Sequence, residues 1–230
     1  MDYTYVKNNY HALIEEIEEI AKSSHGQHVT LVAVTKSGSD EELLALCEAG
    51  ASDIGENRPQ ELKRRGDLIK QAGFNVNLHE IGNLQKNKVK LIADSVALIH
   101  SVDSQSLAEQ ISKHAVAMGR TVPILIEVNS AKEADKGGVM PEYAEELFLK
   151  IRSLDGISVR GIMTMGPACD DIEDIRPYFR LTKNLFDKIK NAYGFDGEPI
   201  LSMGMSDSYR IAIEEGATLV RVGRRLFIKS

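Results

Sequence analysis

The sequence predicts an α/β protein: a single (β/α)8 barrel of the TIM type with an extra N-terminal helix, spanning residues 1–230. Eight short apolar or β-branched runs alternate with amphipathic helical segments, and no linker rich in proline, glycine or serine divides them. Too few residues follow the eighth run for a closing helix, so we expect the N-terminal helix to cover that gap. A doubly wound open sheet is the competing arrangement.

The predicted strands are short runs that glycine or polar residues bound. Their regular alternation with helical segments is typical of parallel strands joined by helical crossovers. They cover residues 29–35, 52–55, 77–82, 96–101, 122–129, 159–164, 199–202 and 218–222.

The predicted helices follow from hydrophobic periodicity and end signals. Leu13 and Ile17 lie on one apolar stripe of the first helix, whose glutamates face away. Ser39 and Glu42 form a predicted capping box that begins the second helix, and Gly50 ends it. The later helical segments cover residues 59–72, 86–93, 104–118, 141–154, 172–193 and 207–215.

Composition excludes several classes of protein. A net charge of −6 argues against a general nucleic-acid binder, which needs a basic face. Glu15 and Glu16 interrupt the opening segment, so it has neither the apolar stretch of a signal peptide nor a membrane span. Cys47 and Cys169 lie far apart without CxxC spacing, which predicts neither a disulfide framework nor a metal site. We therefore expect a cytoplasmic protein that binds neither nucleic acid nor a membrane.

Polar residues collect at the predicted carboxyl ends of the strands. In (β/α)8 barrels these ends and the loops that follow them form the functional face. The residues found there include Lys36, Glu56, Asn57, His79, Gly82, His100, Asp103, Glu127 and Asn129.

Lys36 ends the first strand, and two interpretations are open. A lysine at a strand end can simply be solvated. A partly buried lysine whose pKa is lowered can instead condense with a carbonyl to form a Schiff base. Ser206, with the glycines at 204 and 223, follows strands seven and eight, the usual phosphate corner of this fold. Ser206 or Asp207 could equally cap the next helix.

Arg221 alternates with Val220 and Val222 inside the eighth strand. If the two valines face the helices, the guanidinium faces the barrel interior, where an unpaired charge would be costly. An acceptor is therefore expected beside it. Exposure at the strand end is the alternative.

Two further features are interpreted without a functional role. His79 and His100 lack the spacing of a metal site, so we expect hydrogen-bonded histidines near the pocket rim. The basic cluster at residues 62–66 is predicted to be a solvated helix face.

Several motifs together resemble the pyridoxal phosphate homeostasis proteins, a family similar to the N-terminal barrel of alanine racemase. The resemblance covers nearly the whole chain. It rests on LVAVTK (31–36), IGENRPQE (54–61), HEIGNLQKNK (79–88), IHSVDS (99–104), GIMTM (161–165), LSMGMSDS (201–208) and GATLVRVG (216–223).

The resemblance implies that pyridoxal phosphate (PLP) is held as a Schiff base on Lys36. Ser206, Gly223 and the backbone at Arg224 would hold the phosphate. Asn57 would approach the ring hydroxyl, and Arg221 would face the ring nitrogen. Arg224 and Glu80 depart from the residues usual in the family. The implied cofactor-binding set is Lys36, Asn57, His79, Met203, Ser206, Arg221, Gly223 and Arg224.

The resemblance also implies a cofactor carrier or regulator without an established catalytic activity. Its partners would be PLP and the apo forms of PLP enzymes, and we expect a monomer. Three alternatives are a small PLP-dependent amino-acid racemase or lyase, a Schiff-base aldolase without a cofactor, and a non-catalytic scaffold.

Overall fold

Eight parallel strands close into a barrel in chain order, and the last strand pairs with the first. The computed structural model describes residues 2–133 and 135–229. The strands are β1 (Thr30–Val34), β2 (Asp53–Glu56), β3 (Asn77–Glu80), β4 (Leu98–Val102), β5 (Val122–Glu127), β6 (Ile157–Met163), β7 (Ile200–Ser202) and β8 (Leu219–Val222).

Helices and short 3₁₀ segments connect the strands. Two of the crossings contain a 3₁₀ segment, Lys86–Leu91 and Ile172–Ile175, and a third 3₁₀ segment, Arg224–Phe227, follows β8. The α-helices of the described residues are α1 (Thr4–Ser24), α2 (Asp40–Glu48), α3 (Pro59–Gln71), α4 (Gln105–Ala117), α5 (Pro141–Ile151), α6 (Arg176–Tyr193) and α7 (Tyr209–Glu214).

The predicted (β/α)8 class is confirmed, and pairing of β1 with β8 excludes the open sheet. Thr30 lies opposite Leu219, and Ala33 lies opposite Val222. An open doubly wound sheet would leave both strands without this pairing. The capping box of α2 is also present, because the side chain of Ser39 accepts from the Glu42 amide and the Glu42 carboxylate accepts from the Ser39 amide.

Helix α1 takes the place of a closing helix, as the sequence predicts. Only the Arg224–Phe227 3₁₀ turn follows β8, while α1 packs against α2, α7 and this turn. Val6, Leu13 and Ile17 are its most deeply buried side chains. The apolar stripe therefore covers the barrel where the eighth helix would otherwise lie.

The barrel interior holds an apolar cluster that is separate from the larger core between strands and helices. Val32, Leu98, Leu125, Met163 and Leu219 form this cluster. Side chains alternate between the two faces of a strand, so neighbouring residues of the same strands face the helices. The apolar cluster fills part of the barrel and leaves room for polar groups beside it.

Three predicted helices differ from the observed elements. The segment predicted at 86–93 is a 3₁₀ helix, the form that short connectors commonly take. The segment predicted at 172–193 begins as a separate 3₁₀ turn before α6, and the one predicted at 207–215 is shorter at both ends. None of the helices in the described part of the chain is long and apolar enough to span a membrane.

Ile17→Ala tests the role of α1. Ile17 is 1% exposed, so truncation leaves a cavity between α1 and the barrel. We expect the free energy of unfolding to fall by about 2–5 kcal/mol in urea denaturation. The exposed Glu18 of the same helix provides the control, and Glu18→Ala should change stability by less than about 0.5 kcal/mol. Equal effects of the two substitutions would show that α1 is not part of the core.

Candidate functional site

A cavity of about 650 Å³ opens at the carboxyl ends of the strands. The polar lining comes from the ends of β1, β2, β7 and β8 and from the loops that follow them. Much of the apolar lining comes from the loop between β6 and α6. The polar lining residues include Lys36, Ser37, Asn57, Ser206, Asp207, Arg221 and Arg224, and the apolar residues after β6 are Met165, Pro167, Ala168, Ile172 and Ile175.

Lys36 follows β1 and lines this cavity, but its side chain is exposed. The Schiff-base interpretation assumed a partly buried lysine, and the Lys36 side chain of the protein alone is not buried. The loop around Lys36 is nevertheless anchored on both sides. The Thr35 hydroxyl donates to Glu56 Oε1 over 2.5 Å, and the Gly38 amide donates to the Thr35 carbonyl over 2.9 Å.

Arg65 of α3 holds the same loop from below. Its Nη2 donates to the Gly38 carbonyl over 2.7 Å, and its Nη1 pairs with Glu56 Oε1 over 2.8 Å and also donates to the Thr35 carbonyl. The Arg65 side chain is buried. The prediction that residues 62–66 form a solvated face is therefore wrong for Arg65.

The sequence did contain a signal for Arg65. It lies three residues after Leu62 and four before Ile69, which are both buried on the inner face of α3. A charged residue on an apolar stripe requires a partner, and Glu56 at the end of β2 provides it. Lys63 and Arg64 immediately before it instead favour the interpretation of a single charged surface.

Arg221 points into the barrel interior and reaches the cavity floor. It is 4% exposed, and its acceptors are the Ser202 hydroxyl and the Thr164 carbonyl, the latter at 3.0 Å from Nη2. Burial lowers the pKa of Arg221 to about 10, while the nearby Glu127 opposes the shift. The guanidinium therefore remains a cation at neutral pH.

Ser206 and Gly223 form a corner of the cavity beside β1. The Gly223 amide donates to Ser206 Oγ over 3.3 Å. A Cβ on Gly223 would lie 2.8 Å from the Val34 carbonyl oxygen, so a larger residue would fill the corner. Arg224 follows, and its exposed side chain pairs with Asp207. The corner therefore combines a backbone amide, a hydroxyl and a cation, which are the groups that bind a phosphate.

Asn57 lines the cavity at the end of β2. Its backbone is held by a close approach of the loop after β3, because a Cβ on Gly82 would lie 2.2 Å from the Asn57 carbonyl oxygen. Only glycine fits at position 82 in this arrangement. The close approach thereby fixes the Asn57 backbone at the cavity lining.

Two residues of the predicted set do not line the cavity. Met203 is fully buried in the core that strands share with helices. His79 is buried inside the barrel and bonds to Asp53 and His100. His79 and His100 are both hydrogen-bonded, as predicted. Their rings lie in the barrel interior, however, and not at the rim of the cavity. Direct contact of His79 or Met203 with a ligand stays a prediction.

Two carboxyl groups at the carboxyl ends of β3 and β5 are buried. Burial raises the pKa of Glu80 to about 8, although the Gly82 amide donates to Oε1 and opposes the shift. Burial also raises the pKa of Glu127 to about 7, with Asp103 adding to the effect. Among the described residues, no group of three or more His, Cys, Asp or Glu side chains could hold a metal ion.

Glu80→Gln tests the protonation of the buried carboxyl group. Because the folded-state pKa lies above the ordinary value of 4.5, folding binds a proton, and this stabilisation is lost as pH rises from about 5 through 8. The variant lacks this loss, so thermal denaturation should show its stability rising relative to wild type by on the order of 4 kcal/mol between pH 5 and 8.5. The exposed Glu109→Gln should show no such trend. A difference that does not change with pH would contradict the assignment.

Comparison with known proteins places these observations in a family. Residues 9–230 match the family described as Alanine racemase, N-terminal domain. A pyridoxal phosphate homeostasis protein of Aquifex aeolicus is 39% identical over 217 residues, which cover 94% of each chain.

Solved structures give the same result. An unknown protein from Bifidobacterium adolescentis is 36% identical, with a TM-score of 0.91 over 99% of this chain and 97% of that one. PipY of Synechococcus elongatus, solved with PLP bound, is 26% identical, with a TM-score of 0.84 over 97% of this chain and 100% of that one. The chain therefore belongs to the alanine racemase N-terminal domain family and, within it, to the pyridoxal phosphate homeostasis proteins.

Proposed function

We propose that this protein binds PLP in the cavity at the carboxyl ends of the strands and takes part in PLP homeostasis as a carrier or regulator. The observation that carries the proposal is the convergence of Lys36, Arg221 and the Ser206 corner on one cavity. An amine, a buried cation and a phosphate-sized corner together match an aromatic aldehyde that bears a phosphate. The PLP-bound PipY structure, which shares the fold, supports the same ligand.

Each group of the cofactor has a counterpart in the cavity. Lys36 would bind the aldehyde as a Schiff base, and Ser206, Gly223 and the Arg224 backbone would hold the phosphate. Asn57 would contact the ring hydroxyl, and Arg221 would face the ring nitrogen. When bound, PLP supplies an aldehyde that reacts with amines and a ring that withdraws electrons.

The charge on Arg221 would limit the chemistry of bound PLP. A cationic donor beside the ring nitrogen keeps that nitrogen unprotonated, which weakens the ring as an electron sink. Because the pKa of Arg221 is about 10, this donor stays charged throughout the neutral range. Transamination through a fully developed carbanion is then disfavoured, and the homeostasis role that names the relatives places a racemase or lyase second.

The proposal extends to delivery of the cofactor to other proteins. Lys36 is exposed at the cavity mouth, so an incoming amine can reach a Schiff base there without opening the barrel. We infer that apo forms of PLP enzymes are the recipients and that this exchange takes place in the cytoplasm. The two cysteines are both free thiols, which is compatible with a reducing compartment.

The test compares wild type with Lys36→Ala after incubation with PLP. We expect wild type to show the visible band of a lysine-bound Schiff base, and borohydride to bleach it and fix the added mass on the peptide that contains Lys36. The variant should show neither. Lys70→Ala, which removes an exposed lysine of α3, is the matched control and should behave like wild type.

Other outcomes separate the alternatives. Wild type without a visible band in excess PLP would contradict the proposal and favour a phosphate-binding barrel of the aldolase kind. A band that is retained in Lys36→Ala would contradict the role of this lysine. Turnover of an amino acid by the PLP-loaded protein would favour the racemase or lyase.

A further inference from the structure

A chain of hydrogen bonds crosses the barrel interior and ends on Arg221. Asp53 Oδ1 lies 2.9 Å from His79 Nε2, and His79 Nδ1 lies 2.9 Å from His100 Nε2. His100 Nδ1 lies 3.0 Å from Ser202 Oγ, which accepts from Arg221 Nη1. Four different strands, β2, β3, β4 and β7, thus connect to β8 through side chains alone.

The links of this chain are shielded from solvent. His79 and Arg221 are each 4% exposed, and His100 and Ser202 are fully buried. A buried polar group that lacks a partner is costly, so each link depends on the next. Only Asp53, at the start of β2, is partly accessible, and it also accepts from the Ser52 hydroxyl and the Asn77 amide.

The anchoring carboxylate sets the direction of the first bonds. Burial alone would raise the pKa of Asp53, but the hydrogen bonds from His79, Ser52 and Asn77 outweigh it and lower the pKa below its ordinary value. Asp53 is therefore ionised at neutral pH and can only accept. His79 therefore donates from Nε2 to this carboxylate, and its Nδ1 lies within hydrogen-bond distance of His100 Nε2.

The same order continues to the cavity. Burial is the main cause that lowers the pKa of His100 well below its ordinary value, and the charge of Arg221 acts in the same direction, so this ring stays neutral. It donates from Nε2 to His79 and accepts at Nδ1 from the Ser202 hydroxyl. The Ser202 oxygen then accepts from Arg221. Every hydrogen bond in the chain points from Arg221 toward Asp53.

We propose that Asp53, His79, His100 and Ser202 are positioning residues that hold Arg221 as a fixed cationic donor at the cavity floor. The order of bonds matters because the Ser202 hydroxyl has a single hydrogen, and His100 Nδ1 is the acceptor that lies beside it while the oxygen accepts from Arg221. If the order were reversed, His100 and Arg221 would both donate to Ser202, and its buried hydrogen would need another acceptor. The effect on PLP rests on the proposed function, whereas the order of the bonds does not.

The first experiment uses the ligand-free protein. Long-range ¹H–¹⁵N NMR determines which ring nitrogen of each histidine carries the proton. At neutral pH, His79 and His100 should both be neutral with the proton on Nε2. A proton on Nδ1 of either ring, or a charged ring, would overturn the proposal. Because wild type alone decides this point, the result does not depend on the folding of any variant.

Two variants of the anchor separate its acceptor role from packing. Asp53→Ala removes the acceptor, so we expect a population of the Nδ1–H form at His100, two bonds away from the substitution. Asp53→Asn should restore the wild-type form, because the amide oxygen can still accept from His79 and Asn77. Ser52→Ala, which removes a different partner of the carboxylate, is the control and should leave both rings unchanged. An unchanged His100 ring in folded Asp53→Ala would contradict the chain.

The second experiment reads the consequence for the cofactor. We expect Ser202→Ala to weaken PLP binding about tenfold, because Arg221 loses a buried acceptor. Thr182→Val removes an equally buried hydroxyl, which donates to the Tyr178 carbonyl over 2.8 Å in α6, and should bind PLP like wild type. Equal affinity of Ser202→Ala and wild type would overturn the positioning role. If wild type itself binds no PLP, the proposed function fails, and the histidine forms still decide the order of the bonds.

Discussion

The parallel pairing of β1 with β8 is the constraint on which the site depends. It places Ala33 opposite Val222, so the residues that follow each strand meet at the same end of the barrel. Lys36 and Gly223 thereby line the same cavity, although they lie far apart in the chain. In an open sheet the same strands would not be paired, and the amine and the phosphate corner would be separated.

The barrel interior is divided between an apolar cluster and a polar chain. The cluster around Val32 and Leu125 excludes water, which makes the hydrogen bonds of His100 and Arg221 stronger and their loss more costly. Burial of a guanidinium is tolerated here because its acceptors, Ser202 and the Thr164 carbonyl, are held by neighbouring strands. The fold thus supplies a fixed positive charge beneath a cavity whose lysine is exposed.

The loop that carries Lys36 is positioned by the outer layer rather than by β1 alone. Arg65 reaches from α3 to the carbonyls of Thr35 and Gly38, and Glu56 holds both Arg65 and the Thr35 hydroxyl. Anchoring of the loop from a helix and the neighbouring strand therefore fixes the backbone on both sides of Lys36, while the lysine side chain is exposed.

The sequence by itself determined the fold class, the order of strands and helices, and the ends at which Lys36, Asn57 and Ser206 would lie. Periodicity and strand-end position are local properties, so they can be read along the chain. It also predicted an inward Arg221, because alternation within a strand is local too.

Only the tertiary structure decided which residues meet. It made Arg65 a buried anchor, placed His79 in the interior rather than at the cavity, and left Met203 in the outer core. It also showed that Ser202 and the Thr164 carbonyl accept from Arg221. The physical reason is that these contacts join distant strands, and their geometry follows from closure of the barrel rather than from local sequence.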